Sequence, residues 1–511
     1  MATKRVCTFV LALGLGGAAF AEAPSPLSAI GWLSDSVADA PGEQVVEDAV
    51  PTASVPGAIR VLPLDAPVPD EAGLLDATAM DVPRDLWGRS SAGDLADALE
   101  RLTPGSEAPP AINRFLSQLL QARLDPPIDA AATDRFFFAR IDRLLGWGFL
   151  VAAAGVMTQA GLDDASTFRR RFDIALLTGG ETEACRDIEG NPDLSPTYPA
   201  RIFCLARLGQ FDVAALTLGN AETLGILSEA EDSLLLHFLD PELFEGEPIP
   251  RAPSLPTPLQ FRLYEAVGER ISTEGLPVPF AVADMSDTVG WKARLSAAER
   301  LTAAEAIPFE RLLEVYRERG PSASGGVWER VRALQALANA VDRGDEAAIA
   351  SRLPDAWDAA GQAGYAPAFA AWVLPALEAL PDASTVSRIA FEIALLTEDA
   401  DGAARFAGPS REDRFLLSLA TGQVGSAPAG DALGRAVLRG LSAVNAGSAY
   451  EALIADNRRG EALFRALDQL ADGATGNPDT TAQSLAALRR IGLADLARQI
   501  AVELVLREGA A

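Results

Sequence analysis

The 511-residue chain is short of the groups that most catalytic and nucleic-acid-binding proteins rely on. Histidine occurs once, at His237, and cysteine three times, which leaves little material for a His-rich metal centre or a zinc–cysteine cluster. Positive charge is scarce: 43 Lys and Arg face 71 Asp and Glu, for a formal net charge of −28. A general nucleic-acid binder needs a cationic surface, so that class is disfavoured. There is no G-x-S-x-G elbow, no P-loop and no G-x-G-x-x-G after a strand. Sustained alternating strand patterns are also missing. After the first 21 residues no apolar run reaches 18 residues, so no transmembrane segment is expected beyond that point. These absences predict a protein without cofactor or metal, and one that is not an enzyme.

Hydrophobic residues make up 49% of the chain, enough for a large core. At roughly 150 residues per domain, the length suits about three domains or one long repeat array. Residues 1–21 join a short cationic start (Lys4, Arg5) to an apolar run from Val6 to Phe20 and a small-x-small site at Ala19–Ala21. This pattern predicts a cleaved secretory signal with Glu22 as the mature N-terminus. Losing Lys4 and Arg5 would take the charge to −28 − 2 = −30. Lys4 and Lys292 are the only lysines, and Ala, Gly and Pro abound; the composition suggests a GC-rich bacterial genome and hence a periplasmic location. Cys185 and Cys204 then remain in an oxidising compartment, and a disulfide is the expected pairing. Two short helices, Glu181 to Ile188 and Pro199 to Leu208, separated by Gly190-Asn191-Pro192, would bring the sulfurs together. Two independent buried thiols are the alternative.

Residues 22–80 read as a flexible linker holding a short helix (Leu27, Ile30, Leu33 and Val37 on one face) and an extended piece at Ala58 to Leu64. Trp32 in that helix either docks in a partner groove or packs back on the body. From residue 82 onward the pattern is helical. Ile112, Phe115, Leu116, Leu119 and Leu120 mark one buried face. Pro375 is expected to kink or split a helix spanning Ala366 to Leu380. The fold class is all-α. Asp240 to Pro258 carries six prolines and no helical period. It divides the chain into helical segments at 82–240 and 257–511, joined by a connector at 241–256.

A local repeat recurs: a helix ends at Gly148, Gly209 or Gly492, and an alanine follows five residues later at Ala153, Ala214 or Ala497. The glycine permits a left-handed exit and the alanine a close helix approach. Gly344–Asp345 and Asp401–Gly402 mark looser copies. The unit resembles the helix–turn–helix of tetratricopeptide-type repeats over about a third of the chain, although the spacing between units is irregular. The resemblance implies a divergent α-solenoid, with helix pairs stacked into a superhelix that presents a surface to a protein partner in the cell envelope. Helical superhelices also occur in soluble lytic transglycosylases, so a peptidoglycan-processing enzyme or accessory is an alternative; their Glu-Ser and Gly-Leu-Met-Gln-type segments are missing here. A small-ligand binder with its pocket between the helical segments is a second alternative.

His237 lies in a run of leucines, which suits a buried helix better than a catalytic base. Glu181/Glu183 and Glu229/Glu231/Asp232 fall near helix starts, where acids favour the dipole. The loop Gly320 to Trp328 offers Ser322, Ser324 and Trp328 as candidate interaction residues: Ser324 as a helix cap, exposed N–H groups for an anion, and Trp328 as a stacking surface. The other reading of this loop is a long capped turn with Trp328 in the core.

Overall fold

Side-chain caps start many of the helices. Ser91 accepts from the Asp94 N–H at 3.1 Å and begins the helix Ala92–Arg101, whose Leu95, Ala96 and Leu99 are buried. A cap of this kind contributes about 1 kcal/mol. Asn477 likewise accepts from Asp479 N–H and Thr480 N–H ahead of Pro478–Arg490. The structure, a computed structural model, describes residues 68–102, 108–380, 385–426, 428–473 and 476–508. These are overwhelmingly helical, as the sequence predicts. Among them the only strands are Leu75–Asp76 and Ala122–Arg123, a parallel pair in the register Leu75↔Ala122. The predicted signal, the Trp32 helix and the 58–64 piece lie outside the described residues.

The repeat turns form as the glycines require. Gly148, Gly209 and Gly492 have φ of 89°, 81° and 97°, and Ala153, Ala214 and Ala497 are fully buried. Gly344 (φ 61°) also ends its helix. The copy near Gly402 is displaced: Gly402 sits inside the helix Ala400–Phe406, and the left-handed residue is Glu398, with φ 63°. Pro375 does not split its helix, which runs Ala366–Glu378.

Residues 68–81, expected to fall in or just after the flexible linker, are packed onto the fold. Arg140, almost wholly buried, donates to the carbonyls of Asp70 (2.8 Å), Ala72 (2.9 Å), Leu120 (3.1 Å) and Ala122 (3.3 Å). One guanidinium thus satisfies four chain carbonyls and straps 70–72 to the helices behind it. Asp70 itself is buried, and neither carboxylate oxygen has a hydrogen-bond partner. Burial pushes its pKa up to about 7, although the nearby Arg140 charge acts in the other direction.

Apolar packing forms two main bodies. The larger core extends from Ala77 through Leu177 and from Phe261 to Val505. A second core, here the lobe, gathers residues from Phe168 to Tyr264. The proline-rich stretch 241–256 lies within the lobe, where Ile249 and Ala252 pack on its core. Two helices, Ala165–Thr178 and Pro258–Ala266, give side chains to both bodies. Between them Arg262 Nε donates to the Leu176 carbonyl at 2.5 Å. Close by, Arg170 makes a buried bidentate pair with Asp142 (2.5 and 2.7 Å) and covers the Phe138 ring.

The large body joins the two ends of the described chain. Ala92–Arg101 packs on Arg459–Leu470, and Pro110–Gln121 packs on Ala494–Glu508. Trp87, Phe136 and Phe464 meet there with ring centroids 5.0 to 6.4 Å apart. Gly460 is needed at this contact, because a Cβ would fall 2.6 Å from Leu95 Cδ2. Packing therefore links distant helices as well as sequence neighbours.

Candidate functional site

The helix Phe211–Thr223, on the lobe, is the least covered apolar element. Its start follows the Gly209 exit and its inner face is narrow: only Ala214, Leu218 and Ala221 are buried. Two of these three are alanines, so the helix sits close to its neighbour Tyr198–Arg207 and hides little of its own surface. The remaining apolar side chains face outward. Phe211 is 54% exposed, Leu216 66%, and Leu224, just past the helix end, 67%; Val213 and Ile226 are exposed too. At 100° per residue, Val213, Leu216, Asn220 and Leu224 line one ridge about 120° round the helix from the buried stripe, about 16 Å long. Exposed leucines occurring singly mean little, but a row of them does. Of the eleven large apolar side chains exposed among the described residues, six lie between Phe211 and Leu243.

The disulfide lies beneath this face. Cys185, in Glu181–Gly190, and Cys204, in Tyr198–Arg207, are bonded with Cα atoms 4.9 Å apart, and both are buried in the lobe core. Expected and observed helices agree within two residues. Glu181 and Glu183 fall in the first turn of one, and Ser228 and Glu231 form a capping box at Glu229–Leu239. His237 is buried: its Nδ1 lies 2.7 Å from the Ser233 carbonyl and its ring rests on Phe244.

The loop before Val327–Arg343 follows the turn reading in part: Trp328 packs against the large core, but no serine caps the helix. Ser324 does not cap this helix; the cap position is Gly326 (φ 55°), and Gly325 N–H donates to Glu329 Oε1 at 3.2 Å. Trp328 is half-buried against Trp291, with centroids 5.3 Å apart. Ser322 and Ser324 are exposed, and neither they nor Trp328 line the cleft beside this helix.

A polar seam closes the large body. Arg114 reaches Glu398 at 2.9 Å and Glu503 at 3.5 Å. Glu503 also accepts from Ala111 N–H (2.7 Å) and Gln499 Nε2 (2.9 Å). Burial raises the pKa of Glu503, and does the same for nearby Glu305. Burial opposes the Arg114 charge, but Glu503, Glu305 and Glu398 outweigh it and hold its pKa above the usual value. Glu305 and Glu398 take left-handed backbone (φ 58° and 63°) in turns where other copies carry glycine. Clefts of about 330 and 410 Å³ flank Arg114, the second lined by Phe309 and Trp372. Every carboxylate here is engaged with, or neighbours, one arginine that bridges distant helices, so the seam is a closure of the fold.

Among the described residues no helix is long and apolar enough to cross a membrane. No protein-family model matches the chain, no curated protein is similar to it, and no solved structure matches its fold.

Proposed function

We propose that this protein is a non-enzymatic helical scaffold of the bacterial periplasm, which binds another envelope protein through the exposed face of Phe211–Thr223. The single observation that carries this reading is the ridge of Val213, Leu216 and Leu224, apolar and uncovered on a helix whose other side is already packed. Surfaces of this kind are stabilised by burial against a second protein. The secretory pattern of residues 1–21 and the Cys185–Cys204 bond support the compartment. A photo-crosslinking amino acid at position 216, introduced in cells, is expected to give a discrete adduct with another protein, absent when the same group stands at the exposed position 444. Failure to obtain that adduct at 216, or clearing of purified cell wall in a zymogram, would overturn this function.

A further inference from the structure

We infer that the partner surface for this face is a cationic amphipathic helix. The inference rests on the scaffold reading and adds to it the chemistry of what binds. From Leu208 to Pro250 the chain contains nine Asp and Glu and not one Lys or Arg. At the chain average of 43 cations in 511 residues, about three or four would be expected in such a stretch. The same stretch holds the six exposed apolar side chains already described. Excess negative charge and exposed apolar surface therefore coincide in one region.

The acids are placed to act on a ligand. Asp212 and Glu222 are exposed on the Phe211–Thr223 helix itself, Asp212 beside Leu216 at the edge of the ridge and Glu222 on the far side, toward the next helix. Glu222 lies near Asp232 of the next helix; partial burial and the Glu222 charge both raise the Asp232 pKa. Among the described residues, Asp212, Glu222 and Glu229 make no ion pair. Elsewhere the protein neutralises its acids readily: Arg388 alone contacts Glu392, Glu412 and Asp413, and Arg294 contacts Asp287 and Glu318. A surface acidic only for solubility carries both signs interspersed and does not need an apolar ridge. The uncompensated negative charge of this region, with Asp212 at the ridge edge, attracts lysines and arginines over a distance while the ridge takes up leucines. The ridge runs along a helix axis with spacings of three and four residues, the pattern into which the side chains of a second helix pack. An anionic membrane surface is repelled by the same charges.

Three fluorescein-labelled 18-residue peptides test this by anisotropy on the full chain: a Leu/Lys amphipathic helix, the same helix with Glu for Lys, and the Leu/Lys composition scrambled to lose its period. The Leu/Lys helix is expected to bind in the micromolar range and to weaken about five-fold between 50 and 300 mM salt. Leu216→Ser with Leu224→Ser is expected to weaken it at least ten-fold. Asp212→Asn should weaken it about two-fold and reduce the salt dependence. Val444→Ser, at an exposed apolar site elsewhere, should leave it unchanged. Absence of Leu/Lys binding, equal binding of the Glu or scrambled peptide, or indifference to Leu216→Ser with Leu224→Ser would overturn the inference. So would binding of the protein to phosphatidylglycerol vesicles through this face. A crosslinked partner at 216 together with failure of the Leu/Lys peptide removes the cationic partner and leaves the scaffold; absence of the adduct removes the scaffold itself.

Discussion

The large body and the lobe solve the same packing problem in opposite ways. The body buries its charges and pairs them: Arg170 with Asp142, Arg330 with Glu299, Arg114 with Glu503. It draws together helices hundreds of residues apart and carries all six tryptophans of the described chain. The lobe has a smaller core, no tryptophan, a disulfide and an acidic, partly apolar exterior. A small core gains little from burial alone, and a covalent bond adds stability without covering more surface. The difference teaches that the uncovered helix is tolerated because the cysteines, and not its own outer face, hold the lobe.

The comparison breaks most visibly at the seam. Glu503→Ala strips Ala111 N–H and Arg114 of a buried partner and is expected to destabilise the body by about 3–5 kcal/mol. Denaturant unfolding followed by tryptophan fluorescence reads this, since all six tryptophans among the described residues lie in the body. A loss under about 1 kcal/mol would mean that the ends are not held by this pair.

Asp70 gives the body a pH response. Its folded pKa, about 7, stands above the usual 3.8, so the folded state holds the proton more tightly. The resulting stability is full below about pH 4 and is lost as pH rises through 7. At about 1.4 kcal/mol per unit, the swing is roughly 4 kcal/mol at most. Asp70→Asn should remove it, so that the stability of the variant relative to wild type climbs from pH 4 to pH 8 in thermal melts. A constant difference across that range would show Asp70 to be ionised in the fold.

Cys185→Ala with Cys204→Ala opens a loop with a sequence separation of 19 and should cost the lobe about 3 kcal/mol. Far-UV circular dichroism is expected to show an earlier unfolding step that leaves the emission of the body's six tryptophans unchanged. If the emission moves with that step, the two bodies unfold as one. The smallest effect sharpens the contrast furthest: Leu216→Ser with Leu224→Ser should change thermal stability by less than about 0.5 kcal/mol, because neither side chain belongs to the lobe core.

The sequence carried the local rules well. Helical periodicity placed Ile112, Phe115 and Leu116 in the core, and the glycine–alanine spacing located three turns with their left-handed residue. The same reasoning missed the turns at Glu305 and Glu398, where packing holds a carboxylate residue in backbone that usually selects glycine. It set the start of the fold at 82, because the 70–72 strap is held by carbonyl contacts to Arg140 that leave no periodic signal. The seam was illegible for a related reason: Ala111 and Glu503 are 392 residues apart, and no local pattern encodes their meeting. The exposed helix was hidden by its own composition. Phe211–Thr223 is apolar on nearly every side, which in sequence reads as burial. Only the lack of cations from 208 to 250 marked it, and that signal was visible in the sequence.

The contact between Pro110–Gln121 and Ala494–Glu508 has an evolutionary consequence. An open stack of helix pairs lengthens or shortens by gaining or losing units, since each touches only its neighbours and the terminal ones are merely capped. Here two early helices of the described chain pack on two late ones, so duplicating an internal pair would pry apart the join instead of extending a row. The size of such a joined body is inherited as a whole, and variation is confined to what projects from it.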